Sequence, residues 1–429
     1  MLADGTGTGK TRQILATADQ YAQETGKKVL IVTENDQIIK GSFTEDARAM
    51  GMTLDQFEIT TYSQLRSGNA GQGQYGLVIF DEAHNLKNQE SGQTMSANNV
   101  TADHRMFATA TPMDKISGAV YFMSEITGET PASIYEKLGL IVREKTKGKK
   151  AYKEVVLKEG FQWKDVMAAL VNMRDQAIES GAMIRREFPF YGRITNESFS
   201  LSPSQMKEHD QINDYWEARI GEAKTPRQRM NLGGQRTGEL SRWTEAQKAE
   251  KTLELIEREL AEGRKVILIA EGVNPTTVKG LDGQQKKGVI GWLESRLNQK
   301  GIGFAKVYGA GNKAAEVDRF QSGQVDVVLA TPKSGGTGIN LDDTKGDRPR
   351  TMIVATANFS GDVFDQIMGR ISRRNTASPA KIINIMAKNS DSDIRRQEIL
   401  RHKLQALRAV QHGRDVDEAS FLPDGDGGM

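Results

Sequence analysis

The stretch Leu2–Thr11 reads L-A-D-G-T-G-T-G-K-T. Its glycines allow the main-chain N–H groups to turn inward around an anion, and Lys10 can reach the β- and γ-phosphates of a nucleotide. Thr11 offers a hydroxyl to Mg²⁺, and a helix that follows Lys10 adds its positive end. The stretch therefore predicts a phosphate loop that opens a helix. The residues assigned to nucleotide binding are Gly5, Thr6, Gly7, Thr8, Gly9, Lys10 and Thr11.

The residues after the loop support this prediction. Apolar side chains at Ile14, Leu15 and Ala18 follow helical spacing, and Gly26 supplies a stop signal. The loop departs from the commonest pattern in one respect, because Asp4 stands where a first glycine is expected. The alternative interpretation is a flexible glycine turn, which the following helix makes less favourable.

A second motif indicates what the loop's nucleotide is used for. The run Leu77–Phe80 is continuously apolar, which is typical of a buried parallel strand, and it ends in Asp81-Glu82-Ala83-His84. We expect Asp81 to hold Mg²⁺ and Glu82 to orient and polarise the attacking water. An Asp-Glu pair at a strand end is often only a solvated turn, but its position downstream of a phosphate loop favours the catalytic interpretation.

Polar groups follow the next predicted strand as well. The stretch Arg105–Pro112 ends in Thr109-Ala110-Thr111 before its proline. The hydroxyls of Thr109 and Thr111 suit a link between a hydrolysis site and a nucleic-acid cleft. With His84 they form the predicted coupling set.

Far downstream, a motif of one glutamine and two arginines predicts a second group of residues for the nucleotide site. Gln366–Arg374 has the spacing Q-x-x-G-R-x-x-R. On one helical turn, Arg370 and Arg373 would both face a triphosphate, where guanidinium groups neutralise charge on the γ-phosphoryl group. We assign Gln366, Arg370 and Arg373 to catalysis together with Glu82. A basic helix face is the alternative.

Taken in order, these motifs resemble those of superfamily 2 helicases and translocases with a DEAH-type motif II. The motif sequences most resemble those of the strawberry notch group and, more distantly, those of the Swi/Snf-type remodelling ATPases. The resemblance spans residues 2 to about 387. It rests on the following stretches: Asp4–Lys10, Thr60–Ser63, Asp81–His84, Ile184–Gln205, Gly335–Leu341 and Gln366–Arg374.

The resemblance implies an ATP hydrolase with Mg²⁺ as cofactor and nucleic acid as partner. MgATP would lie on a first lobe, and the arginines of a second lobe would complete the site when the cleft closes. Closing and reopening would move the protein along a strand. Nucleic acid would be held mainly at its phosphates. The residues expected near it are Thr61, Tyr62, Asn274, Thr337 and Asn340.

Alternating strands and helices predict an α/β fold with two RecA-like parallel-sheet lobes. Lobe 1 is expected at 1–128, lobe 2 at 246–388, and a charged helix with a disordered tail at 389–429. The strands expected from apolar runs are Val29–Thr33, Phe57–Thr60, Leu77–Phe80, Met106–Thr109, Val266–Ala270, Phe304–Tyr308, Val325–Ala330, Met352–Ala355 and Ile382–Met386. The motifs follow the carboxyl ends of these strands, where ligands of such folds bind.

Between the lobes, residues 129–245 lack the alternation and are predicted to be a helical and irregular insertion. Lys145, Lys147, Lys149 and Lys150 could contact a phosphate backbone there, or form a solvated loop.

Composition sets further limits. The chain has 429 residues, 37% of them hydrophobic, no cysteine, five histidines and a net charge of +2. Zero cysteines exclude disulfides, thiolate metal sites and cysteine nucleophiles. The charge is too small to indicate nucleic-acid binding by itself, so a binding groove must come from local arrangement. No apolar stretch is long enough to span a membrane and no secretory signal begins the chain. We expect an intracellular protein, cytoplasmic if prokaryotic or viral.

The start of the chain is short for this fold. A phosphate loop normally follows a central buried strand, and only Met1–Ala3 precede Asp4. We expect an upstream segment or a partner chain to complete lobe 1.

Three functions of different kinds remain open. The first is a DNA-dependent ATPase that translocates, the second an RNA-dependent ATPase or helicase of the same fold, and the third a nucleotide-gated nucleic-acid-binding scaffold with weak hydrolysis. The presence of Glu82, Arg370 and Arg373 argues against the third. The resemblance of the motif sequences to Swi/Snf-type ATPases favours DNA over RNA.

Overall fold

The computed structural model describes residues 1–398, except 6, 90, 113–115, 148–149, 187–189, 282–283, 336–338 and 357–360. The chain divides into two compact units, of which the first covers residues 1–188 and the second begins at residue 189. Both are α/β units built on a parallel sheet, consistent with RecA-like lobes. None of the described helices is long and apolar enough to cross a membrane.

The first unit contains a four-stranded parallel sheet in the order β2-β1-β3-β4, and a separate β5–β6 hairpin. Its strands are β1 (Val29–Thr33), β2 (Glu58–Thr61), β3 (Gln74–Asp81), β4 (Thr101–Ala108), β5 (Leu140–Lys147) and β6 (Lys150–Leu157). Its helices are α1 (Lys10–Thr25), α2 (Asp36–Ile38), α3 (Thr44–Ala49), α4 (Tyr62–Arg66), α5 (Gly92–Asn98), α6 (Ile116–Thr127), α7 (Pro131–Lys137) and α8 (Trp163–Glu179).

The helix after the phosphate loop forms as the sequence predicts. Ile14, Leu15 and Ala18 are fully buried and pack with Ile31 and Ile79 of the sheet. Burying each large apolar side chain contributes about 1.5–3 kcal/mol relative to leaving it exposed. Helix α1 is thereby fixed against the sheet. It ends at Gly26, whose φ of 68° is in the left-handed region that favours glycine.

The second unit contains a six-stranded sheet in the order β11-β12-β8-β13-β14-β7, in which all neighbours are parallel. Its strands, with those of the short β9–β10 hairpin, are β7 (Gly192–Phe199), β8 (Lys265–Ile269), β9 (Thr276–Thr277), β10 (Gln285–Lys286), β11 (Phe304–Val307), β12 (Val327–Ala330), β13 (Arg350–Val354) and β14 (Ala380–Ala387). Its helices are α9 (Pro203–Gly221), α10 (Pro226–Gln247), α11 (Ala249–Ala261), α12 (Val289–Gln299), α13 (Lys313–Gln321), α14 (Pro332–Gly335) and α15 (Gly361–Met368), and residues 391–398 are also helical.

Each strand predicted from an apolar run is present; β1 has the predicted ends, and the others are shifted at one or both ends. Residues 129–245 are helical in α7 to α10, but the prediction of a helical and irregular insertion was wrong in two places. Lys145 and Lys147 lie in β5 and Lys150 lies in β6, which pair antiparallel, whereas Lys149 is outside the described residues. In addition, β7 pairs with β14 from Gly192 to Phe199. β7 lies at the sheet edge and is mostly polar, so it lacks the apolar run of a central strand.

The predicted tail falls largely outside the described residues. Residues 391–398 form the start of the predicted charged helix, and residues 399–429 are not described.

Candidate functional site

The phosphate loop begins at the edge of the first sheet. The main-chain N–H of Leu2 donates to Phe107 O of β4 at 2.7 Å, and that of Ala3 donates to Ile184 O at 2.8 Å. Leu2 is paired in parallel with Ala108 on one side and with Ile184 on the other. The short stretch before Asp4 is thus held on both sides, and this pairing places the loop at the carboxyl edge of the sheet.

The described part of the loop has the geometry of an anion-binding turn. Gly7 and Gly9 have φ angles of 76° and 80°, which bulky residues rarely adopt, and α1 starts at Lys10 immediately afterwards. Lys10 Nζ donates to Asp4 O at 3.0 Å and to Gly5 O at 2.9 Å, so the loop is folded around the ammonium group. Thr6, also assigned to nucleotide binding, lies outside the described residues.

Asp4 has a partner that the sequence analysis missed. Its fully buried carboxylate accepts hydrogen bonds from the main-chain N–H of Arg186 at 2.7 Å, and from Arg186 Nε and Nη2 at 3.0 and 2.8 Å. The same guanidinium donates to Gln13 of α1. The unusual aspartate therefore ties the loop and α1 to the segment around residue 186. Its occurrence in place of glycine was the only local signal.

Asp81 lies at the end of β3, buried, and its Oδ2 accepts from Thr33 Oγ1 at 3.0 Å. Burial and then the charge of Glu82 raise the pKa of Asp81 to about 7, while the Thr33 hydrogen bond and the Lys10 charge oppose the rise. The phosphate-loop lysine and the strand-end carboxylate thus interact electrostatically. The two predicted motifs of the first unit therefore lie near enough for the charge of Lys10 to act on Asp81.

Glu82 has a strained backbone. Its φ of 47° and ψ of 45° place it in the left-handed region, and it is the one non-glycine residue with positive φ in the described part of the chain. A short 3₁₀ turn, Ala83–Leu86, follows, and Asn85 Nδ2 donates to Glu82 O at 3.0 Å. Strain of this kind costs about 1–3 kcal/mol and concentrates at functional positions. The turn redirects the chain directly after Asp81.

The coupling set is brought together around one imidazole. His84 Nδ1 lies 3.3 Å from Glu82 Oε2 and 3.4 Å from Thr109 Oγ1. Thr109 Oγ1 also accepts the main-chain N–H of Thr111 at 3.2 Å, and both threonines are fully buried. The loop after β4 is therefore linked through His84 to the carboxylate after β3.

In the second unit, the arginine pair corrects a detail of the prediction. Helix α15 ends at Met368, because Gly369 follows, so Arg370 and Arg373 do not lie on a helical turn. They still converge: Arg370 Nη1 and Arg373 Nη2 lie 3.5 and 3.3 Å from the same acceptor, Ile339 O.

Arg370 and Arg373 are both half-buried. Burial lowers the pKa of Arg373, and the charge of Asp342 opposes that change. Gln366 lies inside α15 and is 8% exposed. A guanidinium in such a low-dielectric setting gains more from an anionic partner than it would in water.

Two residues assigned to nucleic-acid binding use their side chains inside the first unit. Tyr62 is 2% exposed, its ring stacks on Phe80, and its hydroxyl donates to Asp81 O at 2.8 Å. Thr61 is 4% exposed and its hydroxyl caps α4 by accepting the N–H of Gln64 at 3.2 Å. Both side chains are used inside the protein, so neither offers a surface to a nucleic acid. The pair instead supports the strand end that carries Asp81.

The remaining nucleic-acid assignments lie in the second unit. Asn274, after β8, and Asn340, after α14, are exposed, and Asn340 O accepts from Gln321 Nε2 at 2.9 Å. Thr337 lies outside the described residues. These positions stay predictions.

The donors available for a cation are oxygen atoms. Thr11 lies in the first turn of α1, and Asp81 supplies a carboxylate whose pKa is raised first by burial and then by the charge of Glu82. The described residues contain no cluster of three or more histidine, cysteine or acidic side chains that could cage a metal. Mg²⁺ needs no such cage, since it keeps several waters and takes one or two carboxylates plus substrate phosphates. Thr11 and Asp81 fit that ion.

Comparison with known proteins gives little further information. No protein family and no curated protein matches this chain. Among solved structures, the chain is similar to the SWI2/SNF2 ATPase core of Sulfolobus solfataricus in complex with dsDNA, with a TM-score of 0.37 and 16% sequence identity. The likeness covers 96% of this chain and 88% of that one. This likeness is too weak to assign a function to the chain.

Proposed function

We propose that this protein is a nucleic-acid-dependent ATPase that translocates on DNA. The observation that carries the proposal is that the charge of Lys10, at the start of α1, acts on the buried carboxylate of Asp81 at the end of β3, directly before Glu82. A lysine in a glycine turn and a strand-end carboxylate pair are the parts that phosphoryl transfer from a nucleoside triphosphate requires.

The binding step follows from the loop geometry. Lys10 Nζ would exchange the carbonyls of Asp4 and Gly5 for the β- and γ-phosphate oxygens, which are stronger acceptors because they are charged. The N–H groups at the start of α1 would face the same phosphates. Thr11 and Asp81 would hold Mg²⁺, which neutralises charge on the phosphates when bound.

The chemical step is assigned to Glu82. Its carboxylate would accept a hydrogen bond from the attacking water and orient it toward the γ-phosphorus. The strained backbone fixes the direction of this side chain relative to Asp81. Gln366, Arg370 and Arg373 are proposed to assist, the two guanidinium groups by stabilising charge that develops on the γ-phosphoryl oxygens.

The nucleic-acid partner is inferred from the motif sequences and from the contacts of His84 with Glu82 and Thr109. A chain from Glu82 through His84 to Thr109 joins the hydrolysis site to the loop after β4. A nucleic acid that moved this loop would change the orientation of Glu82. The sequence resemblance to superfamily 2, its strawberry notch group and the Swi/Snf-type ATPases favours DNA, and it is also the reason for proposing ATP-driven closure of two lobes as the motor step.

The test is the rate of phosphate release from ATP by the purified chain, alone and with duplex DNA, single-stranded DNA or RNA. We expect stimulation, and the largest effect from duplex DNA. Stimulation by RNA alone would favour the second function, an RNA-dependent ATPase. Tight ATP and nucleic-acid binding without turnover would favour the scaffold. Parallel assays with GTP measure the selectivity for the base of the nucleotide. The preference for ATP is proposed from the sequence resemblance alone.

A further inference from the structure

A cavity of about 550 Å³ opens in the second unit, away from the arginine pair. It is lined by residues of α9, α10 and the β9–β10 hairpin, among them Trp216, Gly234, Arg242, Thr277 and Lys279. Its volume is within the range of cavities that bind ligands. None of the motifs identified in the sequence uses it.

Two cationic side chains at this cavity lack an anionic partner. Arg242 is exposed, and its Nη1 lies beside Gly238, where an added Cβ would be 3.4 Å away. Lys279 Nζ lies 5.2 Å from the centroid of the Trp216 ring. Within the described residues, neither side chain forms an ion pair or a hydrogen bond. Both charges are available to a ligand.

The acidic residue at the cavity is already engaged. Glu239 is 4% exposed, its Oε2 accepts from Trp216 Nε1 at 3.1 Å, and its Oε1 accepts the main-chain N–H of Lys279. Its carboxylate thus orients Trp216 and the Lys279 backbone from within the protein. The exposed charge of the cavity is positive, which suits an anion.

Helix α10 carries glycine where it faces the cavity. Gly234 lies inside the helix, where alanine would be favoured, and a Cβ added there would meet nothing within 4 Å. No packing contact within the described chain therefore requires glycine. The missing side chain keeps the cavity open and lets a ligand approach the helix backbone. Gly233 is equally unobstructed but does not line the cavity.

The cavity adjoins the segment expected to contact nucleic acid. Glu245, one turn beyond Arg242 on α10, accepts the main-chain N–H groups of Glu271 and Gly272 at 3.0 and 2.7 Å. Those residues begin the loop that carries Asn274 and leads to Thr277 in the cavity wall. Helix α10 therefore connects the cavity to the carboxyl end of β8 through direct hydrogen bonds.

We propose that this cavity binds a backbone phosphate of the nucleic acid, with Arg242 and Lys279 as its two cationic contacts. The inference rests on the proposed function, which supplies the nucleic-acid partner. Arg242 can donate two hydrogen bonds to one phosphate, and Lys279 adds a point charge. Such a contact positions the nucleic acid without selecting sequence.

The test compares the affinity for a short fluorescein-labelled DNA duplex, measured by fluorescence anisotropy over a series of salt concentrations. The variant Arg242→Gln/Lys279→Gln should bind on the order of tenfold or more weakly, and the slope of log K against log salt should become shallower by about 0.9, the value for one lost phosphate contact. The matched control is Lys224→Gln/Arg227→Gln, which removes equal charge from exposed residues at and beside the start of α10 that do not line the cavity. It should retain most of the wild-type slope.

A second pair of variants tests the cavity without changing charge. Gly234→Gln places a side chain in the cavity and Gly233→Gln does not, and both replace glycine by a better helix former. Both should melt at or above the wild-type temperature, which verifies folding, but only Gly234→Gln should weaken binding.

The outcomes separate this inference from the proposed function. If the wild-type protein binds the duplex and the cavity variants equal their controls in affinity and salt slope, the phosphate-binding role of the cavity is overturned. The ATPase proposal is then unaffected. A wild-type protein that binds no nucleic acid contradicts the proposed partner, and the cavity inference falls with it.

Discussion

The Asp4 carboxylate is fully buried and receives three hydrogen bonds from Arg186, one from the main chain and two from the guanidinium. The partners are 182 residues apart in sequence. Since Asp4 and Gly5 carbonyls also accept from Lys10, the ion pair controls the position of the phosphate loop. A buried carboxylate that loses its cation is destabilised, because its desolvation is no longer compensated.

The first prediction follows from this pair. Arg186→Gln should lower the free energy of unfolding by roughly 1–3 kcal/mol, and with it the melting temperature. It should also weaken ATP binding. The control Arg12→Gln breaks the exposed pair that Arg12 of α1 forms with Asp46 of α3, and it should change little. Adding Asp4→Asn to Arg186→Gln removes the buried charge and should restore part of the stability. Wild-type melting and ATP affinity in Arg186→Gln would show that the pair does not hold the loop.

The second prediction concerns the buried tyrosine. Tyr62→Phe removes the hydrogen bond to Asp81 O and should cost the first unit about 1 kcal/mol, measured by urea unfolding, with unchanged affinity for nucleic acid. Tyr191→Phe, at an exposed ring, is the control. The opposite result, weaker nucleic-acid binding at unchanged stability, would restore the role that the sequence suggested for Tyr62.

The third prediction addresses the arginine pair. Arg370→Ala and Arg373→Ala should each reduce ATP turnover by about a thousandfold, the effect known for arginines that stabilise a transferring phosphoryl group. Arg374→Ala removes an adjacent, exposed guanidinium and should have little effect. Melting curves verify folding of all three variants. Equal turnover in the Arg373, Arg370 and Arg374 variants would exclude a catalytic role for the pair.

The fourth prediction concerns coupling. His84→Ala breaks the link between Glu82 and Thr109, so hydrolysis without nucleic acid should persist while stimulation by duplex DNA is reduced. His104→Ala, on the exposed face of β4, is the matched control. Phosphate release is measured with and without DNA for each variant. Full stimulation in His84→Ala would rule out this route.

The helices and strands that could be predicted from the sequence are those whose buried residues form an apolar pattern within the element itself. Strands β1, β3 and β8 each contain a continuous apolar run and α1 has an apolar stripe, so each signal lies within one element. Strand β7 was missed because an edge strand needs an apolar surface on one face at most, and its backbone pairing with β14 leaves no compositional trace.

The candidate site could be predicted in part for a similar reason. Lys10, Asp81 and Glu82 follow strand ends in a fixed order, so topology alone brings them together. The Asp4–Arg186 pair depends on the path of the chain far downstream, which no local pattern encodes. The burial of Tyr62 depends on the neighbouring Phe80, and only the tertiary structure reveals it.

The most direct test of the account is a paired measurement on wild-type protein and Glu82→Gln, with ATP affinity and steady-state phosphate release determined in the presence of duplex DNA. The amide keeps the size of the side chain but is a poor acceptor for the water proton. The account predicts that ATP affinity is retained while turnover falls on the order of a hundredfold or more. Wild-type turnover in Glu82→Gln would contradict the account.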